Sequence, residues 1–123
     1  MTAEALGLLL WALAACESGW DAGKDSQVCN GAGMLQITPI MVEDCNRIMK
    51  HNSFTLDDRY DIIQSYEMAG VFFEEYCEGM SAFDMARCWQ GGPKGHLKPF
   101  TAEQAQRVVN LMEDAGRKRG IQL

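Results

Sequence analysis

Positive charge is scarce in this chain: 11 Lys and Arg stand against 17 Asp and Glu, for a formal net charge of −6. Nucleic acids and anionic membranes are held by basic surface that neutralises phosphate, so this balance argues against either as a general partner. The basic residues that do occur gather late, at Lys94, Lys98, Arg107, Arg117, Lys118 and Arg119, and read as the solvated face of a C-terminal helix, with a local cationic patch as the alternative. Zinc-type spacing is also missing. The five cysteines (Cys16, Cys29, Cys45, Cys77, Cys88) form no C-x-x-C pair and no Cys/His array, so no metal and no cofactor is expected. They read mostly as buried, reduced thiols, with one or two disulfides left open. No repeat, linker or low-complexity stretch interrupts the 123 residues, 47% of which are hydrophobic, so residues 1–123 are read as one globular domain.

Strand-like alternation is absent too, whereas helical periodicity is plain. Leu6, Leu9, Leu10, Leu13, Ala14 and Glu17 recur at helical spacing and define one stripe. The run at residues 6–15, followed by Cys16, also has the form of a lipoprotein signal. The segment before it carries Glu4 and no Lys or Arg, however, and the run is too short to cross a bilayer. A buried first helix is therefore expected, with no stable membrane insertion. Glu17 ends its apolar face, where partial desolvation disfavours the ionised carboxylate and suits it to act as a general acid.

Residues 21–33, rich in Gly, Asp, Ser and Asn, read as a loop. Thr38-Pro39 has the form of an N-cap with proline at the first helical position, opening a helix to about Met49 that Asn52 and Ser53 interrupt. Thr55-Leu56-Asp57-Asp58 resembles a helix start, and Ile62, Ile63, Tyr66, Ala69, Gly70, Phe73 and Cys77 supply the following stripe, with Glu67 inside it. Ser81 opens a helix that should end before Gln90-Gly91-Gly92-Pro93. Thr101-Ala102-Glu103-Gln104 fits a capping box for the last helix, whose core positions are Val108, Val109, Leu111 and Met112. The expected fold class is all-α, with about five helices joined by short loops.

Four local sequences follow one another in a telling order: Glu17-Ser18-Gly19, then Gly33-Met34-Leu35-Gln36-Ile37-Thr38-Pro39, then Ser65-Tyr66-Glu67-Met68-Ala69-Gly70, then Ala86-Arg87-Cys88-Trp89-Gln90-Gly91-Gly92-Pro93-Lys94-Gly95. Together they resemble the lysozyme-like lytic transglycosylases, a superfamily that includes goose-type lysozyme and many phage wall-degrading enzymes. Its pattern is E-S, then G-x-x-Q-I, then a Gly-centred helix, then a W/Y-N-x-G-P turn. Gln90 stands where that pattern has Asn, and Trp89 where many members have Tyr.

The resemblance implies a lysozyme-like domain that cleaves the MurNAc-GlcNAc β-1,4 bond of peptidoglycan. Glu17 would donate a proton to the leaving oxygen and then act as base, while the substrate's own acetamido group replaces a protein nucleophile and a 1,6-anhydro product forms. If water attacks instead, a second carboxylate about 6.5–9.5 Å away is expected, with Asp21, Asp25 and Glu67 as candidates. Glu67 leads them because its stripe should face core or cleft, where hydrogen bonds to motif backbone or to Arg87 are the structural alternative. Ser18 would orient Glu17 or bind an acetamido group, with local capping as its plainer role. Met34, Gln36 and Ile37 would line the saccharide cleft, Trp89 would stack on a sugar face or serve the core, and Gln90 with the Gly91-Gly92-Pro93 turn would form the opposite wall. His51 and His96 match none of these motifs and read as surface histidines.

The expected protein is thus a monomeric peptidoglycan-cleaving enzyme whose partner is the glycan strand and whose place of action is the bacterial cell wall. It would be made in the cytoplasm without a cleaved signal peptide and reach the wall through lysis, a holin or a virion, in the manner of a phage or prophage product. The rival readings are a non-catalytic lysozyme-like module that binds glycan or a protein partner, such as a phage particle component, and a lipoprotein anchored through Cys16.

Overall fold

The computed structural model describes residues 1–26, 28 and 30–123, so Cys29 lies outside the described residues. It is all-helical, as expected: α1 (Ala3–Ser18), α2 (Pro39–Met49), α3 (Ile62–Tyr76), α4 (Ala82–Gly91) and α5 (Ala102–Arg119), with short 3-10 helices at Leu56–Tyr60, Gly95–Leu97 and Pro99–Thr101. Among the described residues, extended pairing is limited to two isolated bridges, Asp25 with Ala32 and Ala32 with Ile37. The chain separates into two compact units. One is continuous, Glu17–Glu75, and is called here the middle unit; the other joins Met1–Cys16 to Tyr76–Leu123 and is called the terminal unit.

α1 buries Ala5, Leu8, Leu9, Leu10, Ala12, Leu13 and Ala14, which cover most of its circumference rather than one stripe, while Leu6 is only half-buried. A helix that is apolar on nearly every side is an interior helix. Among the described residues no helix is long and apolar enough to cross a membrane.

In the middle unit, α2 starts as its sequence dictates. Thr38 Oγ1 accepts from the Met41 N–H at 3.3 Å, and Pro39 occupies the first turn, where its missing N–H costs nothing. The Cys45 thiol of α2 donates to the Met68 carbonyl of α3 at 3.5 Å, and the Asn46 amide pairs with the Phe54 backbone in both directions at 2.9 Å. α3 begins later than expected. Residues Leu56–Tyr60 form a 3-10 turn in which the Asp58 carboxylate accepts from the Thr55 N–H at 2.8 Å. Asp61 then breaks the helix and accepts from the Gln64 N–H at 2.9 Å, which gives α3 its own start.

The buried residues of α3 are Ser65, Met68, Ala69, Phe72 and Phe73, whereas Ile62 and Ile63 are exposed. At about 100° per residue this face is turned roughly a quarter-turn from the expected stripe and lies opposite Glu67, which is exposed. The expectation that Glu67 lies within the buried stripe is corrected accordingly. The physical cause is Ser65, whose hydroxyl donates to the Arg59 carbonyl at 2.9 Å and can therefore be buried without loss. A count of apolar residues ranks Ile62 and Ile63 above it.

The terminal unit packs α4 against α5 and the two adjoining 3-10 turns. Ser81 caps α4 as expected, accepting from the Asp84 N–H at 3.2 Å. The helix runs through Gly91 rather than stopping before Gln90, closed by the Gly92 N–H donating to the Cys88 carbonyl at 2.8 Å. The capping box expected at Thr101 does not form. Thr101 has no exposed surface and helical backbone angles, and its Oγ1 lies 2.8 Å from the Gly95 carbonyl and 2.7 Å from that of Lys98. The same oxygen accepts from Arg87 Nε at 2.8 Å. On α5, Ala105, Val108, Met112 and Ala115 are buried, while Val109 is half-buried and Leu111 sits at the surface. Burying a side chain such as Val108 is worth about 1.5–3 kcal/mol.

Candidate functional site

α1 ends at Glu17, half-buried, and Ser18, buried. Ser18 Oγ donates to the Met34 carbonyl at 2.7 Å and accepts from the Asp21 N–H at 3.1 Å. A hydroxyl carries a single proton, and here it is committed to Met34. Ser18 therefore ties the end of α1 to a segment 16 residues further along, and positions Glu17 by doing so. Gly19 (φ 64°) and Trp20 (φ 62°) both turn through the left-handed region before Asp21, whose Oδ1 accepts from the Gly23 N–H at 2.9 Å. Trp20 is 47% exposed.

The partner segment is built on Gly33. Its φ is +79°, and a Cβ there would lie 1.8 Å from the Arg59 carbonyl oxygen, so no other residue fits. Its N–H donates to the Lys24 carbonyl at 2.8 Å. Gln36, itself left-handed at φ 53°, donates its side-chain amide to the Lys24 carbonyl at 3.1 Å and the Gly33 carbonyl at 2.9 Å. Both amide hydrogens are thus used inside the loop, and the amide oxygen is the group that can meet a ligand. Met34 is 7% exposed and Ile37 has no exposed surface, so in this conformation they pack the interior rather than line an open surface.

Arg59 and Tyr60 brace the same loop from the 3-10 turn. Arg59 Nη1 donates to the carbonyls of Asn30 at 3.1 Å and Ile37 at 3.4 Å, and its Nε donates to Leu56 at 2.9 Å. The Tyr60 hydroxyl donates to Asp25 Oδ1, which holds it protonated above the ordinary phenol range. Beside Arg59 lies an open polar depression that Asp25, Ser26, Asn30 and Pro39 help to line.

Glu17, Ser18, Met34, Gln36 and Ile37 therefore share the middle unit, with Ser18 and Met34 bonded directly. Glu67 belongs to that unit as well, on the exposed side of α3. Of the other carboxylates considered, Asp25 is engaged by Tyr60 and Asp21 by Gly23. Trp89 and Gln90 lie on α4 of the terminal unit, where Trp89 is 6% exposed and Gln90 is exposed. The turn after them depends on Gly95, at which a Cβ would lie 2.2 Å from the Arg87 carbonyl oxygen. Arg87 Nη2 donates to the Lys98 carbonyl at 2.9 Å, and Lys98 Nζ donates to that of Gly91 at 2.6 Å.

His51 is exposed beside Ser53, as expected, but His96 is half-buried with Nδ1 3.4 Å from the Cys88 sulfur. Cys16, Cys45, Cys77 and Cys88 are free thiols. Burial, with Asp44 nearby, pushes Cys45 up to about 11; burial, with the neighbouring Cys88, pushes Cys77 up to about 12. Among the described residues no group of three or more His, Cys, Asp or Glu could hold a metal ion.

Three residues that sequence reading passed over matter here: Arg59, Tyr60 and Trp20. The first two fall between the Thr55–Asp58 helix start and the stripe that begins at Ile62, and their loop partners lie 22 to 35 residues away. Trp20 adjoins the Glu17 motif, and nothing local distinguishes an exposed tryptophan from a core one. No protein-family model matches the chain, and no curated protein matches it either.

Proposed function

We propose that the chain is a lysozyme-like glycosidase that cleaves the β-1,4 bond between N-acetylmuramic acid and N-acetylglucosamine in peptidoglycan, with Glu17 as general acid and then base. The observation that supports this reading most is the hydrogen bond from Ser18 Oγ to the Met34 carbonyl. It joins the first two of the four motifs that carry the resemblance to lytic transglycosylases. It also fixes the helix end bearing Glu17 against a loop that Gln36, Arg59 and Tyr60 brace internally. Acid catalysis at a glycosidic oxygen needs that constraint, because the donor must sit within hydrogen-bond reach and a displacement of about 1 Å can cost about a hundredfold in rate.

In the proposed reaction Glu17 gives its proton to the leaving oxygen as positive charge grows at the anomeric carbon. In the transglycosylase route the acetamido group of the muramic residue holds that carbon. Glu17, now a carboxylate, takes the proton of the C6 hydroxyl as the 1,6-anhydro ring closes. In the muramidase route water attacks and a second carboxylate assists, with Glu67 as its candidate. The substrate places the action at the bacterial cell wall, with release by lysis or delivery in a virion as the route consistent with phage-type enzymes. Gln90, a longer amide than the Asn of the resembled pattern, is the observation that favours the second reading, a glycan-binding module without turnover.

The test is turbidity loss of purified peptidoglycan with wild type, Glu17→Gln and Glu67→Gln, followed by mass spectrometry of released muropeptides. Clearing that Glu17→Gln abolishes, with anhydro-muramyl ends and Glu67→Gln active, is the transglycosylase result. Reducing ends with both variants inactive is the muramidase result. Equal clearing by wild type and Glu17→Gln sinks the mechanism, and sedimentation with the wall without clearing leaves the binding module.

A further inference from the structure

We infer that Trp20 is the aromatic platform on which a sugar ring of the substrate stacks beside Glu17, an inference that rests on the glycosidase reading above. Trp20 holds φ 62° and is 47% exposed. Both properties are unfavourable for a tryptophan. A bulky residue in the left-handed region is a genuine outlier costing energy that glycine would not, and a large indole in water forgoes the burial that ordinarily justifies it.

The surroundings enforce the conformation. Ser18 Oγ accepts from the Asp21 N–H across the turn while its own proton is anchored on Met34, so the two residues between, Gly19 and Trp20, are held in left-handed geometry. Trp20 is far more open than Trp89, which is 6% exposed. The result is a strained, fixed and solvent-facing indole three residues after Glu17, in the same unit.

Chemistry selects the ligand. The face of an indole is electron-rich and flat, and it takes groups that offer a flat array of polarised C–H bonds or cations. A β-1,4-linked amino sugar carries its ring substituents equatorially and so presents axial C–H bonds on each face. A nucleobase would stack equally well, but Trp20 stands in the chain between the acidic Glu17 and Asp21 and the chain carries −6, which repels the attached phosphates. Trp20 thus takes the stacking role that sequence reading gave to Trp89.

The experiment measures equilibrium binding of soluble, peptide-free peptidoglycan glycan strands in a Glu17→Gln background, which removes turnover. Trp20→Ala should weaken binding about tenfold or more, while Trp20→Phe, which keeps a ring, should retain most of it. The strands should shield the parent's exposed tryptophan fluorescence from acrylamide. Trp20→Gly should unfold at a temperature no lower than the parent, since glycine occupies φ 62° without strain. Equal affinity in parent and Trp20→Ala would overturn the Trp20 inference and leave the glycosidase reading standing. Failure of the strands to bind the parent would overturn both.

Discussion

The loop at residues 24–37 in the middle unit and the turn at residues 91–95 in the terminal unit meet one requirement by different means. Each brings two backbone stretches closer than a side chain allows, at Gly33 against Arg59 and at Gly95 against Arg87. Gly33 also needs a left-handed φ of +79°, which Gly95 does not. The loop is closed largely from within its own motif, by the Gln36 amide, with Ser18 reaching in from the first motif. The turn is closed by Arg87 on the buried hydroxyl of Thr101, a residue outside every motif. The adjacent tryptophans part in the same way: Trp20 faces solvent and Trp89 is interior. Nearness to a motif therefore does not assign a role, because burial and partners do.

The sharpest way to break this comparison is to place a Cβ in both regions. Gly33→Ala combines a backbone clash with a forbidden φ and should destabilise by about 4 kcal/mol or more, lowering the melting temperature by well over 10 °C by calorimetry. Gly95→Ala carries the clash alone and should cost about 2–4 kcal/mol. A larger loss at Gly95 would show that left-handed geometry is not what separates the two sites.

Next come the hydroxyls. Thr101→Val leaves Arg87 Nε without its hydroxyl acceptor and removes the one hydrogen bond that the buried hydroxyl donates, to the Gly95 or the Lys98 carbonyl, and should cost about 2–3 kcal/mol in urea denaturation. Ser18→Ala loses the Met34 and Asp21 partners and should cost about 1–2 kcal/mol. If Ser18 positions Glu17, its loss should also lower wall clearing at temperatures where the variant remains folded, and Thr101→Val under matched conditions should not.

A smaller effect compares the thiols. Cys45 in the middle unit and Cys77 in the terminal unit are raised from 9.0 to about 11 and about 12. Well below pH 9 both are protonated whether folded or unfolded, and their contribution is complete. Above it the unfolded chain loses those protons first, so stability falls as pH rises through the folded values. The difference in stability between wild type and Cys45→Ala should accordingly shrink between pH 9 and about 11, measured by chemical denaturation. At pH 8 a thiol reagent should label the half-buried Cys16 before Cys45 or Cys77.

Smallest, and opposite in sign, is Gly70→Ala. A Cβ at this position in α3 meets nothing within 4 Å, so replacing a mid-helix glycine should stabilise the protein by about 0.5–1 kcal/mol, read as a rise in melting temperature.

Several features of this protein follow from its sequence alone. The all-helical class, the starts of α2 at Thr38-Pro39 and of α4 at Ser81, and the scarcity of basic surface are of this kind. Caps and periodicity act over three or four residues, so a local reading captures them. Tertiary structure decided the rest. It turned the buried face of α3 toward Ser65, drew Thr101 away from its cap and into contact with Arg87, and kept the proton of Ser18 for Met34. It also buried Trp89 and left Trp20 in solvent. Each of these outcomes depends on which polar groups find partners six to 16 residues away, and on which surfaces are thereby closed to water, and neither quantity is carried by a local pattern.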